Sequence, residues 1–174
     1  MPGQPLRLDQ WTNFYMITSA AAASLLGLMF VVISLGAERR RGEDALKIRI
    51  YLTPVIIYFS SVLVMSLLLA IPNHTRPTAV SCICLESIVG LAYAVSLAIK
   101  RGAGNAFYDA RSDLFSYVIC PFAAHAVMLA GGLLSWLQMP QIGLDLVAAG
   151  LIALLGIGIR NSWAIAITIA SPRD

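Results

Sequence analysis

Two residues of this chain are at odds with their surroundings. Glu86 lies within the apolar run TAVSCICLESIVGLAYAVSLAI, and His125 within LFSYVICPFAAHAVMLAGGLLSWLQM. A carboxylate removed from water without a partner is costly, so Glu86 must be protonated, hydrated or paired. Imidazole as a group changes protonation near neutral pH, so a carboxyl and an imidazole in contact could pass a proton between them, and Glu86 could line an ion path. The same two side chains, as a neutral pair, could instead be a hydrogen bond that holds two helices together.

A second polar interruption, Arg160 and Asn161, falls in IGLDLVAAGLIALLGIGIRNSWAIAITIA. Arginine near the end of an apolar helix can extend its head to the interface, hold backbone carbonyls, pair with the loop carboxylates Asp109 and Asp113, or bind an anion. Asp145, near the other end of the same run, suits a helix N-terminus, where the dipole favours negative charge. Asp109, Arg111 and Asp113 read as a solvated capping segment, with cation or head-group binding as the alternative. Ala20, Ala23, Ser24 and Gly27 form a stripe of small residues at three- and four-residue spacing, as do Ala149, Ala153 and Gly156 leading to Arg160; such stripes let another helix approach closely. Cys82, Cys84 and Cys120 all fall in apolar runs without metal-ligand spacing. His74 is the only other histidine and sits in a loop, so neither a metal nor a cofactor is expected. The chain contains no Walker, GxSxG, HExxH or dinucleotide-binding pattern, so no catalytic residue is assigned and an enzyme is the lesser reading.

The elements that must carry these residues follow from composition. Of 174 residues, 59% are hydrophobic and only 12% charged, and the mean hydropathy is +0.80, more apolar surface than a soluble domain of this size can bury. Five apolar stretches, about 11–37, 50–71, 78–99, 114–139 and 142–170, each reach the roughly 20 residues that span a bilayer as a helix. None alternates as a membrane strand would. The expected fold is therefore all-α: one polytopic membrane bundle of about five transmembrane helices over residues 1–174. Arginines after the first stretch mark it as a retained span rather than a cleaved leader. Pro54 and Pro121 are expected in the first or second turn of their helices, Pro54 with the option of a kink. Glu86 then lies about nine residues into the third helix and His125 about eleven into the fourth, roughly 13 and 16 Å from their ends. The helices run in opposite directions, so both residues reach the middle of the membrane.

Loop charges give the orientation. Arg39, Arg40, Arg41, Lys47 and Arg49 in the first loop, with Lys100, Arg101 and Arg111 in the third, contrast with Arg76 alone in the second and no basic residue in the fourth. Positive-inside bias places the N-terminus outside and the C-terminus in the cytoplasm. Trp11 and Trp136 fall near the outer boundary and Trp163 near the inner one. A net charge of +3 distributed in this way fits membrane-flanking loops and no nucleic-acid partner. The third loop could form an interfacial turn around Phe107 and Tyr108, and Asp113 could cap the fourth helix.

WTNFYMITSAAAASLLGLMFVVISLGAERR at the start, YLTPVIIYFSSVL in the second stretch and GIRNSWAI in the fifth together resemble a family of small, uncharacterised bacterial multi-pass inner-membrane proteins. The resemblance covers most of the chain and implies a bacterial inner (cytoplasmic) membrane location, with no activity to transfer. That family often carries an acidic residue shortly after the Asn-aromatic region near Arg160. Here Ala164 follows Trp163, which counts against an acidic catalytic or ion-binding site at that end. The expected function is a small homo-oligomer in the lipid bilayer that passes or senses an ion or proton through a path near Glu86. The alternative is a membrane scaffold or partner-binding protein whose intramembrane polar residues are structural.

Overall fold

A computed structural model of the protein describes residues 7–39, 43–102 and 114–170. Among them every regular element is helical. A 3-10 turn (Leu8–Trp11) leads into α1 (Thr12–Arg39); α2 is Glu43–Ala70 and α3 Arg76–Gly102. A π turn (Phe115–Ile119) opens α4 (Cys120–Trp136), and α5 is Pro140–Ala170. Five helical spans are long and apolar enough to cross a membrane, so the chain is built as a multi-pass membrane protein. Helices meet their own backbone hydrogen bonds, which a hydrocarbon solvent requires.

One boundary differs from the apolar stretches for a physical reason. The helix of the second span begins at Glu43, before the apolar residues, because Glu43, Ala45, Leu46 and Lys47 ahead of Ile50 are themselves good helix formers. Pro54 thus lies eleven positions into α2, deeper than the first or second turn expected for it. The fifth span does not stop at Arg160 and Asn161; α5 continues to Ala170. The interfacial turn expected around Phe107 and Tyr108, and the Asp113 cap, fall outside the described residues.

The turns are closed by local chemistry. Thr75 caps α3, its Oγ1 accepting the Thr78 N–H at 3.4 Å, and Pro77 follows in the first turn where its missing N–H is harmless. After α4, Gln138 adopts φ 71° and the Met139 N–H reaches the Leu134 carbonyl at 3.0 Å, a left-handed helix stop just before Pro140 starts α5. Arg76 donates to Gln138 Oε1 at 2.5 Å and ties these two turns together.

α2 is the central helix, packing against α1, α3 and α5, and half of its most apolar window is buried against 17% for α1. α4 packs on α3 and α5. The α4–α5 approach is close enough that a Cβ on Gly131 would stand 2.5 Å from the Gly143 carbonyl. Tyr15, Tyr58, Met65 and Met128 belong to the main core, and Phe59, Tyr117 and Ile165 to a second cluster. Outward-facing Ile17, Phe30, Leu85, Val89 and Ile152 are exposed, as expected where lipid is the solvent.

Candidate functional site

The third and fourth helices bring Glu86 and His125 together. Glu86 lies on the α3 face that also carries buried Ile83, Gly90 and Ala94, so its side chain enters the α3–α4 contact and is only 11% exposed. His125 is 1% exposed on the opposing face of α4. Space for the imidazole comes from Gly90, one helical turn beyond Glu86: a Cβ there would overlap the His125 ring. Nε2 of His125 faces Oε1 of Glu86 at 3.7 Å, an ion-pair distance but longer than a hydrogen bond.

The other ring nitrogen is committed. Nδ1 lies 2.8 Å from the Pro121 carbonyl, one turn earlier on α4. A carbonyl can only accept, so Nδ1 carries a hydrogen. A neutral His125 therefore turns a lone pair toward Glu86. The pair is net neutral in two forms, a carboxylic acid facing a bare Nε2 or a carboxylate facing an imidazolium, and they differ by the position of one proton. Oε2 of Glu86 and Nε2 of His125 are buried without a hydrogen-bond partner. Such groups are rare because each forfeits its desolvation cost, and they concentrate where chemistry or switching occurs.

Nine residues before His125, the π turn forms a second polar cluster with a different character. Pro121 has no N–H. In an α-helix that donor would serve the Tyr117 carbonyl, and in π geometry the Ser116 carbonyl. Both oxygens are taken up from other helices: Tyr58 on α2 donates to Tyr117 O at 2.6 Å, and Asn161 Nδ2 on α5 donates to Ser116 O at 3.2 Å. Arg160 donates to the Ser116 hydroxyl and, at 3.4 Å, to Asn161 Oδ1. Asn161 is 1% exposed, whereas the Arg160 residue as a whole is exposed.

No family model, curated protein or solved structure matches this chain.

The remaining candidates are dispersed. Ala20, Ala23, Ser24 and Gly27 are exposed on α1, with open space around Gly27. Ala149, Ala153 and Gly156 are likewise exposed on α5, so neither stripe is buried by another helix of the same chain. Asp145 is exposed and accepts from Gln141 at 3.4 Å. The three cysteines are free and half-buried, and among the described residues no three His, Cys, Asp or Glu gather as metal ligands. Asp109, Arg111 and Asp113 lie outside the described residues. A cleft of about 370 Å³ between the 3-10 turn and the α2–α3 turn is lined by residues including Asp9, Asn73 and His74, and by neither Glu86 nor His125.

Sequence reasoning did not assign roles to Gly90, Ser116 or Tyr58. Gly90 follows Glu86 by one turn, a spacing that signals room for a bulky partner opposite. Pro121 within an apolar span was the available sign that a carbonyl of the preceding turn would lack its helical donor.

Proposed function

We propose that this protein passes or senses a proton or small ion at Glu86, with His125 as the partner group, and that it works as a homo-oligomer in a bacterial inner membrane with its N-terminus outside and its C-terminus in the cytoplasm. The observation that carries the proposal is the buried confrontation of Glu86 and His125 across 3.7 Å, with an unpartnered atom on each side. A proton needs no coordination shell, only a donor and an acceptor, and the pair supplies both. A metal cation would need several oxygens, and Glu86 provides two beside an imidazole. The exposed small-residue faces of α1 and α5 favour contact between copies. The loop charges favour the stated orientation, and the resemblance to small bacterial membrane proteins favours the location.

A scaffold or partner-binding role has its own support. The pair is enclosed in the α3–α4 contact, as a structural lock between two helices would be. The deciding experiment is proton and ion flux into proteoliposomes containing the intact protein or the Glu86→Gln variant. Flux that falls at least tenfold in a correctly folded variant supports the path at Glu86. Flux no greater than that of empty liposomes, across several ions and both directions of pH gradient, together with no proton uptake or release by the protein, leaves the scaffold role.

A further inference from the structure

The cleft between the 3-10 turn and the α2–α3 turn takes no part in the Glu86–His125 site, yet its wall has a consistent chemistry. Its volume of about 370 Å³ falls within the roughly 300–1,000 Å³ of small-molecule sites. Leu8 and Leu69 line it and are buried, which makes the floor apolar. Asp9 and Asn73 line it and are exposed, which makes the rim polar. Asp9 is the only Asp, Glu, Lys or Arg in the lining, and among the described residues no cation pairs with it. α2 ends at Ala70, also in the lining, and its last turn has no basic side chain to offset the negative end of the helix dipole. Asn73 adopts φ 62°, and the chain folds back so that His74 Nε2 lies 2.7 Å from the Leu68 carbonyl. A carbonyl only accepts, so Nε2 carries a hydrogen and the neutral ring offers Nδ1 as an acceptor. The Thr12 hydroxyl donates to the Leu8 carbonyl at 3.3 Å, so its oxygen is left to accept. The nearby groups of opposite sign stand outside the lining: Arg7 does not contribute to it, and Arg76, where α3 begins, is turned to Gln138.

We propose that this cleft binds a primary ammonium group. The ammonium sits against the Asp9 carboxylate at the C-terminal end of α2, and the body that carries it lies over Leu8 and Leu69. An ammonium has three N–H donors, and the wall offers acceptors in the Asp9 carboxylate, the Thr12 oxygen and the neutral His74 ring. A quaternary ammonium has no N–H to give, and no Phe, Tyr or Trp lines the cleft to cage it. A metal ion would want several ligands at once, whereas among the described residues no three His, Cys, Asp or Glu gather. A soluble amine and the ethanolamine headgroup of a phospholipid both present the required ammonium.

The chain has two histidines, so nitrogen-15 labelling of histidine in phosphatidylcholine nanodiscs gives His74 as a probe inside the cleft and His125 as a probe remote from it. The His74→Gln variant identifies the His74 resonances. Free ethanolamine, or phosphatidylethanolamine introduced into the nanodisc, should shift the His74 resonances saturably and leave those of His125 in place. A response to free ethanolamine assigns a soluble amine as the source, and a response to the phospholipid alone assigns the headgroup. Choline should require at least about tenfold higher concentration than ethanolamine. Asp9→Asn should weaken the response at least about tenfold, the change expected for loss of a charge-assisted hydrogen bond. Asp145→Asn, which removes an exposed carboxylate elsewhere, should leave it unchanged. The proposal is overturned if neither ethanolamine nor phosphatidylethanolamine moves His74, if choline acts as well as ethanolamine, or if Asp9→Asn responds as the parent does. The choline comparison needs no variant, so it decides the matter even if Asp9→Asn does not fold. No flux is read, so the outcome bears on the cleft alone and not on the role of Glu86.

Discussion

Helix α4 carries two polar clusters of opposite design. At Ser116, Tyr117, Arg160 and Asn161, donors from two other helices reach the Tyr117 carbonyl and the carbonyl and hydroxyl of Ser116, beside the donor that Pro121 lacks. At Glu86 and His125, one turn beyond Pro121, two side chains face each other at 3.7 Å and leave Oε2 and Nε2 unmatched. The first arrangement resists change, because movement would break hydrogen bonds that join three helical segments in an apolar medium. The second is held in place by packing against Gly90 and by a single hydrogen bond to Pro121, with no hydrogen bond between Glu86 and His125 themselves. Polarity within a membrane helix is therefore no guide to role; the degree of hydrogen-bond satisfaction separates a lock from a site that can change state.

That contrast can be broken by substitution. The largest effect should come from the packing that supports the unsatisfied pair: Gly90→Val inserts atoms where the imidazole lies and should destabilise the protein by about 3 kcal/mol in reversible unfolding from mixed micelles. Asn161→Ala should follow at about 2 kcal/mol, since it removes a buried hydrogen bond to the Ser116 carbonyl and takes an acceptor from Arg160. Glu86→Gln should cost under about 1 kcal/mol in the same assay, because it removes no formed hydrogen bond and exchanges an ionisable group for a neutral one of equal shape. If Glu86→Gln proves as damaging as Asn161→Ala, the pair is a lock like its neighbour and the contrast fails. The smallest effect belongs to the exposed stripe of α1: Ala23→Leu should change monomer stability by no more than about 0.5 kcal/mol. A loss of self-association in that variant, read by crosslinking in membranes, would assign the stripe to contacts between copies.

The spans and the separation of polar from apolar residues were legible in the sequence because lipid imposes a simple rule: about twenty apolar residues with every backbone group bonded within the helix. That rule located Glu86, His125, Arg160 and Asn161 as exceptions before any contact was known. It did not decide helix ends, since charged residues such as Glu43 and Lys47 can extend a helix beyond the hydrocarbon, and α5 tolerates Arg160 and Asn161 because other helices supply their partners. It also singled out small residues by spacing alone. The stripes on α1 and the outer face of α5 are exposed, while the glycines at close approach include Gly90, Gly131, Gly143 and Gly150.

The sequence by itself determined that this chain builds apolar helices and that a carboxyl and an imidazole lie at similar depth on the third and fourth of them. Depth is a one-dimensional property, fixed by counting residues at 1.5 Å each. Only the tertiary structure decided that the two side chains meet, that Pro121 rather than Glu86 holds Nδ1, and that Tyr58 and Asn161 complete the π turn. Those outcomes depend on the rotation of each helix about its axis and on which neighbours it packs against, and both are set by side-chain fit across helices distant in the chain.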